Sequence, residues 1–123
     1  MNPKYLILDE STAMLDPLGR KEVMDTLKRL NESGMTIVLI THYMEEAAQA
    51  QRVIVLEEGK LLMDGGPREI FKEVEKMKSL RLGAPQASEL AYYLKKGGLD
   101  LNKSVLTPEE FVEAFLDTLK EQQ

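Results

Sequence analysis

Tyr5-Leu6-Ile7-Leu8-Asp9-Glu10 decides the fold: a short apolar run is cut off by two adjacent carboxylates, the pattern of a strand buried on both faces that surfaces at its carboxyl end. Such strand ends are where open α/β sheets bind their ligands. Downstream, Asp16-Pro17 makes a good N-cap and first-turn pair. Val23, Met24, Leu27 and Leu30 then recur at helical spacing until Ser33-Gly34, which predicts a helix over Pro17 to Glu32. Met35 to Ile40 is a second apolar run rich in β-branched residues. Strand, helix, strand predicts a parallel crossover unit, with Thr41-His42 at the carboxyl end of the second strand.

The pattern continues with a short helical stretch over Glu45 to Ala50. Arg52 to Leu56 and Lys60 to Met63 read as a hairpin, with Gly59 supplying the positive φ of its turn. Gly65-Gly66 breaks the chain before Pro67, which suits the first turn of a helix carrying Ile70, Phe71 and Val74. Residues 75–86 are basic and read as loop, and a boundary is expected near residues 65–86. Two amphipathic helices are predicted beyond it, over Ala87 to Lys96 and Pro108 to Lys120, the second opened by Thr107 as cap and Glu110 in a capping box. Leu80, Leu82, Leu90, Leu94, Phe111, Phe115 and Leu119 are expected to pack a small helical layer. Arg81, Lys95 and Lys96 are expected to form a solvated face. Met14, Met24, Met35, Met44 and Met63 are read as packing residues.

Composition narrows the chemistry. At 123 residues, with 43% hydrophobic and 30% charged, the chain can build one modest core and is neither disordered nor fibrous. Its 16 Lys+Arg against 21 Asp+Glu leave a net charge of −5 with no basic block, which argues against nucleic acid as a partner. With no cysteine there can be no disulfide framework, Cys-based zinc site or thiol nucleophile, and the single histidine, His42, excludes a multi-histidine metal site. The longest apolar run, Met35 to Ile40, falls far short of the roughly 20 residues that span a bilayer, and Met1 to Tyr5 has no signal-peptide shape. A cytoplasmic location is expected.

Asp9 and Glu10 can divide labour at a strand end, one holding a hydrated Mg²⁺ and the other orienting or deprotonating an attacking water. An imidazole on the same rim, that of His42, could donate to a terminal phosphate. Taken singly, each has a plainer reading: strands often end in acidic residues, and a histidine there can simply satisfy a backbone group.

Together the residues carry a family resemblance. Leu6-Ile7-Leu8-Asp9-Glu10 resembles the Walker B motif of ABC-type ATPases, Ser11-Thr12-Ala13-Met14-Leu15-Asp16 their D-loop, and Ile40-Thr41-His42 their switch histidine, in the family's order and spacing. Ser11 in place of the commoner proline and Met14 in place of the commoner glycine are similar to the ATPases of energy-coupling factor importers. The tail, through Leu106-Thr107-Pro108-Glu109-Glu110, is more loosely similar to the carboxy-terminal extension of those ATPases.

The resemblance implies an α/β fold: the carboxy-terminal part of a P-loop NTPase parallel sheet with helices, followed by a small helical extension. Residues 1–66 would be the second half of the nucleotide-binding core, 67–86 a helix and linker, and 87–123 the extension. It implies that Asp9 holds Mg²⁺ through water, Glu10 is the catalytic carboxylate that polarises the hydrolytic water, and His42 contacts the γ-phosphate of ATP. The D-loop residues Ser11, Leu15 and Asp16 would lie at the interface with a second ATPase subunit; in a plainer reading Asp16 simply caps a helix. The implied whole is an ATP-hydrolysing subunit peripheral to the cytoplasmic face of the membrane. A separate transmembrane subunit would be its partner, and a vitamin or transition-metal ion its cargo.

One departure is large. No G-x-x-x-x-G-K-[ST] phosphate loop, Q-loop glutamine or L-S-G-G-Q-like signature occurs in the sequence. Those elements precede Walker B in the family, so Met1 is expected to be an internal position and the chain by itself to bind Mg-ATP weakly and not to hydrolyse it. Two alternatives stay open. One is a soluble DNA-repair type of ABC ATPase, against which the hairpin, the following helix and the acidic charge weigh. The other is a stand-alone interaction module that forms homodimers through exposed sheet edges.

Overall fold

The computed structural model describes residues 4–121, so the expectation about Met1 lies outside the described residues. The chain divides into two compact units, Met1–His42 and Tyr43–Gln123.

The first unit is a strand–helix–strand crossover: β1 (Tyr5–Asp9), α1 (Pro17–Glu32) and β2 (Thr36–Ile40). The strands pair in parallel, Tyr5 opposite Thr36 through Asp9 opposite Ile40. Helix α1 starts as its sequence dictates: Asp16 Oδ1 accepts from the Gly19 amide at 2.7 Å and Pro17 occupies the first turn. It buries Met24 and Leu27, each worth about 2 kcal/mol in apolar transfer. The strands do not match the expectation of burial on both faces. Exposure alternates along each, leaving Tyr5, Ile7, Val38 and Ile40 at 46–69% exposed. A continuous apolar run marks a strand that suits two covers, and in this unit α1 supplies one.

The second unit contains α2 (Met44–Ala47), the antiparallel hairpin β3 (Val53–Glu57) and β4 (Lys60–Gly65), then α3 (Pro67–Lys72), α4 (Val74–Ser79), α5 (Gln86–Lys96) and α6 (Pro108–Glu121). The hairpin turns on two residues, both with positive φ: Gly59 at 75°, as expected, and Glu58 at 48°. Arg52 donates two bonds to Asp64 across the hairpin and holds that carboxyl below its ordinary range. Met44, Val53, Val55, Ile70, Phe71 and Met77 form one core cluster, and Ala87, Leu101, Val105 and Ala114 another.

Several expectations need correction here. Residues 75–86 are not all loop: the helix begun at Pro67 breaks at Glu73 (φ −84°, ψ 60°) and resumes as α4. Val74 and Met77, one helical turn apart, are driven into the core at 2% and 1% exposure, while Lys76 and Lys78 face outward and Gly83 and Pro85 lie beyond the end of α4. Leu90 and Leu119 are exposed, and Leu80 and Leu82 pack on the hairpin cluster rather than in a separate tail layer. Small Ala87 and Ala114 fill that tail interior instead, with Phe111 and Phe115 stacked beside them. Of the methionines, Met24 and Met44 are buried, Met35 and Met63 half-buried, and Met14 is 95% exposed at a loop tip.

The cap of α6 is a variant of the expected box. Thr107 Oγ1 accepts from the Glu110 amide at 3.1 Å, but Glu110 Oε1 reaches back to the Leu106 amide at 2.8 Å, and its other oxygen takes Arg68 at 2.7 Å. The Arg68 guanidinium, and then the Leu106 amide, hold the Glu110 carboxyl below its ordinary value of 4.5. A carboxyl lowered by folding adds stability above the unfolded value, and that stability is lost as pH falls through the lower folded value. Acid titration followed by circular dichroism should therefore show the second unit weakening below about pH 4.5, with Glu110→Gln removing part of that dependence. Phe71, 1% exposed, sets the scale of the core: Phe71→Ala should cost about 3–5 kcal/mol in denaturant unfolding, and Met14→Ala less than about 0.5.

Candidate functional site

The site grows from the end of the parallel ladder. After Asp9, opposite Ile40, the Glu10 amide donates to the Ile40 carbonyl at 2.8 Å, so Glu10 leaves β1 at the same rim where Thr41 and His42 leave β2. Glu10 is also where the chain bends. Its φ is +51°, a left-handed conformation unusual outside glycine, and its carbonyl accepts from Ala13 at 3.1 Å to open the turns leading to Asp16.

That bend brings the two expected residues together. His42 Nδ1 lies 2.7 Å from Glu10 Oε1. An ionised carboxylate only accepts, so Nδ1 carries the hydrogen and donates it. The side chains are 56% and 48% exposed, so the pair contributes about 0–1 kcal/mol to stability. Its consequence is geometric: it fixes the carboxylate and the tautomer of the ring.

Asp9 is placed differently. By strand alternation it shares the exposed face of Tyr5 and Ile7. Its carboxylate makes no hydrogen bond or ion pair among the described residues. The adjacent acids are thus one held carboxylate and one unengaged carboxylate. Among the described residues no group of three or more acidic or imidazole side chains could enclose a metal. A hydrated Mg²⁺ nevertheless fits such a place, since it uses one or two carboxylates and takes its other ligands from water and phosphate.

The loop between Glu10 and α1 holds Ser11, Leu15 and Asp16. Ser11 and Leu15 are exposed, and Asp16 has the capping role described above. Two features escaped the sequence reading: the left-handed Glu10, which no residue type announces, and the closeness of Gly19. A Cβ on Gly19 would stand 3.1 Å from Asp16 Oδ1 and 3.3 Å from Leu15 Cβ, so the Asp-Pro-x-Gly spacing was the available signal.

No protein-family model matches the chain. Curated relatives do. The chain is 54% identical to the energy-coupling factor transporter ATP-binding protein EcfA1 of Caldanaerobacter subterraneus subsp. tengcongensis, over 92% of this chain and 41% of that protein. It is 56% identical to EcfA1 of Clostridium perfringens, over 94% and 41%, and 50% identical to EcfA2 of Streptococcus agalactiae, over 94% and 41%. The chain thus spans 41% of the length of these relatives, in their carboxy-terminal part. Among solved structures it resembles cbiO1 of Clostridium perfringens, described as part of the ABC transporter complex cbiONQ. The TM-score is 0.53 at 39% identity, over 72% of this chain and 36% of that one.

The backbone at Glu10 makes a prediction that inverts the usual order of substitutions. Glu10→Gly and Glu10→Ala both delete the carboxylate, yet only glycine relieves the left-handed strain. The glycine variant should be the more stable by about 1 kcal/mol in urea unfolding, whereas at an ordinary strand end alanine would win.

Proposed function

We propose, from the premise that this chain is similar over 92–94% of its length to the carboxy-terminal part of an ABC-type transporter ATPase, most like the ATP-binding subunit of energy-coupling factor importers, that it is the part of such a subunit that completes ATP hydrolysis. The observation that carries this reading is the 2.7 Å contact of Glu10 with His42 on one rim of a parallel strand pair, beside the unengaged Asp9.

In the whole protein Asp9 would hold, through a water, an Mg²⁺ that would supply positive charge to the phosphates. Glu10 accepts a hydrogen bond from the hydrolytic water and polarises it. With its Nδ1 hydrogen committed to Glu10, the ring of His42 keeps a fixed orientation, and it can donate to the γ-phosphate from Nε2 when that nitrogen carries a hydrogen as well. Ser11, Leu15 and Asp16 face a second ATPase subunit. The membrane partner is a transmembrane protein, and among the described residues of this chain no helix is long and apolar enough to cross a membrane. On this reading the subunit sits at the cytoplasmic face of the membrane and powers import of a vitamin or a transition-metal ion.

The 123 residues contain no G-x-x-x-x-G-K-[ST] run to cradle phosphates, so we expect ATP turnover at background for the chain alone. Joined behind the phosphate-loop portion of the Clostridium perfringens relative, it should hydrolyse ATP. In that fusion Glu10→Gln should lower turnover by about 10²–10⁴-fold, and His42→Ala should lower it by about the same order. Turnover by the fusion that is indifferent to Glu10→Gln would overturn the assignment, and turnover by the chain alone would overturn the expectation of inactivity.

A further inference from the structure

The second unit contains a groove of about 730 Å³, within the range of about 300–1,000 Å³ typical of small-molecule sites. It opens between α3, α5 and the loop of residues 99–107. Its floor is apolar, with Phe71, Val74, Leu101 and Val105 all at 4% exposure or less. One wall, residues 100–106, is braced at successive positions. Arg68 donates to the Ser104 carbonyl at 2.8 Å, and buried Ser88 Oγ donates to the Val105 carbonyl at 2.6 Å. The Leu106 amide donates to Glu110 at 2.8 Å. At the rim Asn102 is held left-handed at φ 58°, its amide on Asp100 Oδ1 at 2.8 Å. The wall is therefore formed before any ligand arrives, which removes an ordering cost from binding.

The charge around this groove is opposite to that of the chain. The net charge is −5, yet Lys72, Lys95, Lys96 and Lys103 line the groove with Asp100 as its single lining acid. Lys72 forms no ion pair among the described residues. Lys96 pairs with Glu75, Lys103 with Asp117 and Lys95 with Asp100 at 3.9 Å, every one of these six side chains being at least 44% exposed. Exposed pairs of this kind are worth about 0–1 kcal/mol each and exchange readily for a stronger anion. A concave apolar floor with a cationic rim fits one class of occupant, a small amphipathic anion with its apolar body down and its charged head among the ammonium groups.

We propose that this groove binds a small amphipathic organic anion, an apolar body with an anionic head that phenyl phosphate represents, at a site separate from Asp9, Glu10 and His42. The binding does not depend on the function proposed above. The test is a ¹⁵N–¹H titration of the full chain with phenyl phosphate, beside inorganic phosphate as the charge alone and phenol as the apolar body alone. Phenyl phosphate should give saturable shifts confined to residues 101–106 and Tyr92, and should bind at least about tenfold more tightly than either control. It should weaken with added salt, and about tenfold or more in Lys72→Glu. The spectrum reports whether each variant stays folded, and Lys95→Glu serves as the second charge reversal. Shifts that fail to saturate, that spread over the whole surface, that inorganic phosphate reproduces, or that ignore both reversals would overturn the proposal.

Discussion

The parallel ladder between β1 and β2 is the constraint on which the rest of the first unit depends. Its last bond, from the Glu10 amide to the Ile40 carbonyl, sets two chain exits side by side and leaves a carboxylate and an imidazole within 2.7 Å. A slip of one residue would move His42 by about 3.3 Å along the strand and turn Ile37 and Leu39 to the other face, losing contact and packing together. The crossover helps to hold the register. Sixteen residues of α1 run about 24 Å at the usual rise, enough to carry the chain back to the start of a parallel neighbour. Chemistry at the rim is therefore specified by apolar residues that never touch a ligand.

How much of this could be read from the letters depends on the range of the interaction that decides each element. The helix inside the crossover, the N-cap at Asp16, the positive φ at Gly59 and the cap at Thr107 rest on neighbours within a few residues, and all are present. The convergence of Glu10 and His42 was readable too, because parallel strands with apolar cores share a carboxyl rim. The break at Glu73 was not. Gly83 and Pro85 lend residues 75–86 a loop-like composition, and the tertiary demand for Val74 and Met77 in the core reveals a helix over its first part. The same applies to Leu90 and Leu119: helical spacing says that a stripe exists, and the small size of Ala87 and Ala114 decides which stripe faces inward.

At Glu10 backbone and side chain conflict, and the conflict is informative. A non-glycine residue at φ +51° costs on the order of 1 kcal/mol, and the exposed pair with His42 returns no more than that. Stability alone would place glycine there. A carboxylate at a strained corner, where its own amide closes the ladder and its side chain meets an imidazole, is therefore a residue that stability alone does not explain.

The uncovered face of the parallel pair adds a condition on that chemistry. Tyr5, Ile7, Val38 and Ile40 are each 46–69% exposed, and covering them would gain about 25 cal/mol for every Å² removed from water. Asp9 belongs to the same face, so a cover that reaches it would strip water from a carboxylate, a loss of several kcal/mol if nothing replaces that water. Apolar cover and an unpaired Asp9 are therefore incompatible. Either the cover stops short and leaves Asp9 at a wet edge, or it brings donors or a cation to the carboxylate. A hydrated Mg²⁺ meets both conditions, because it supplies positive charge and keeps part of the water in place. The apolar letters of β1 and the acid that ends it thus state one requirement: any cover of this face either stops short of Asp9 or brings donors or a cation to its carboxylate.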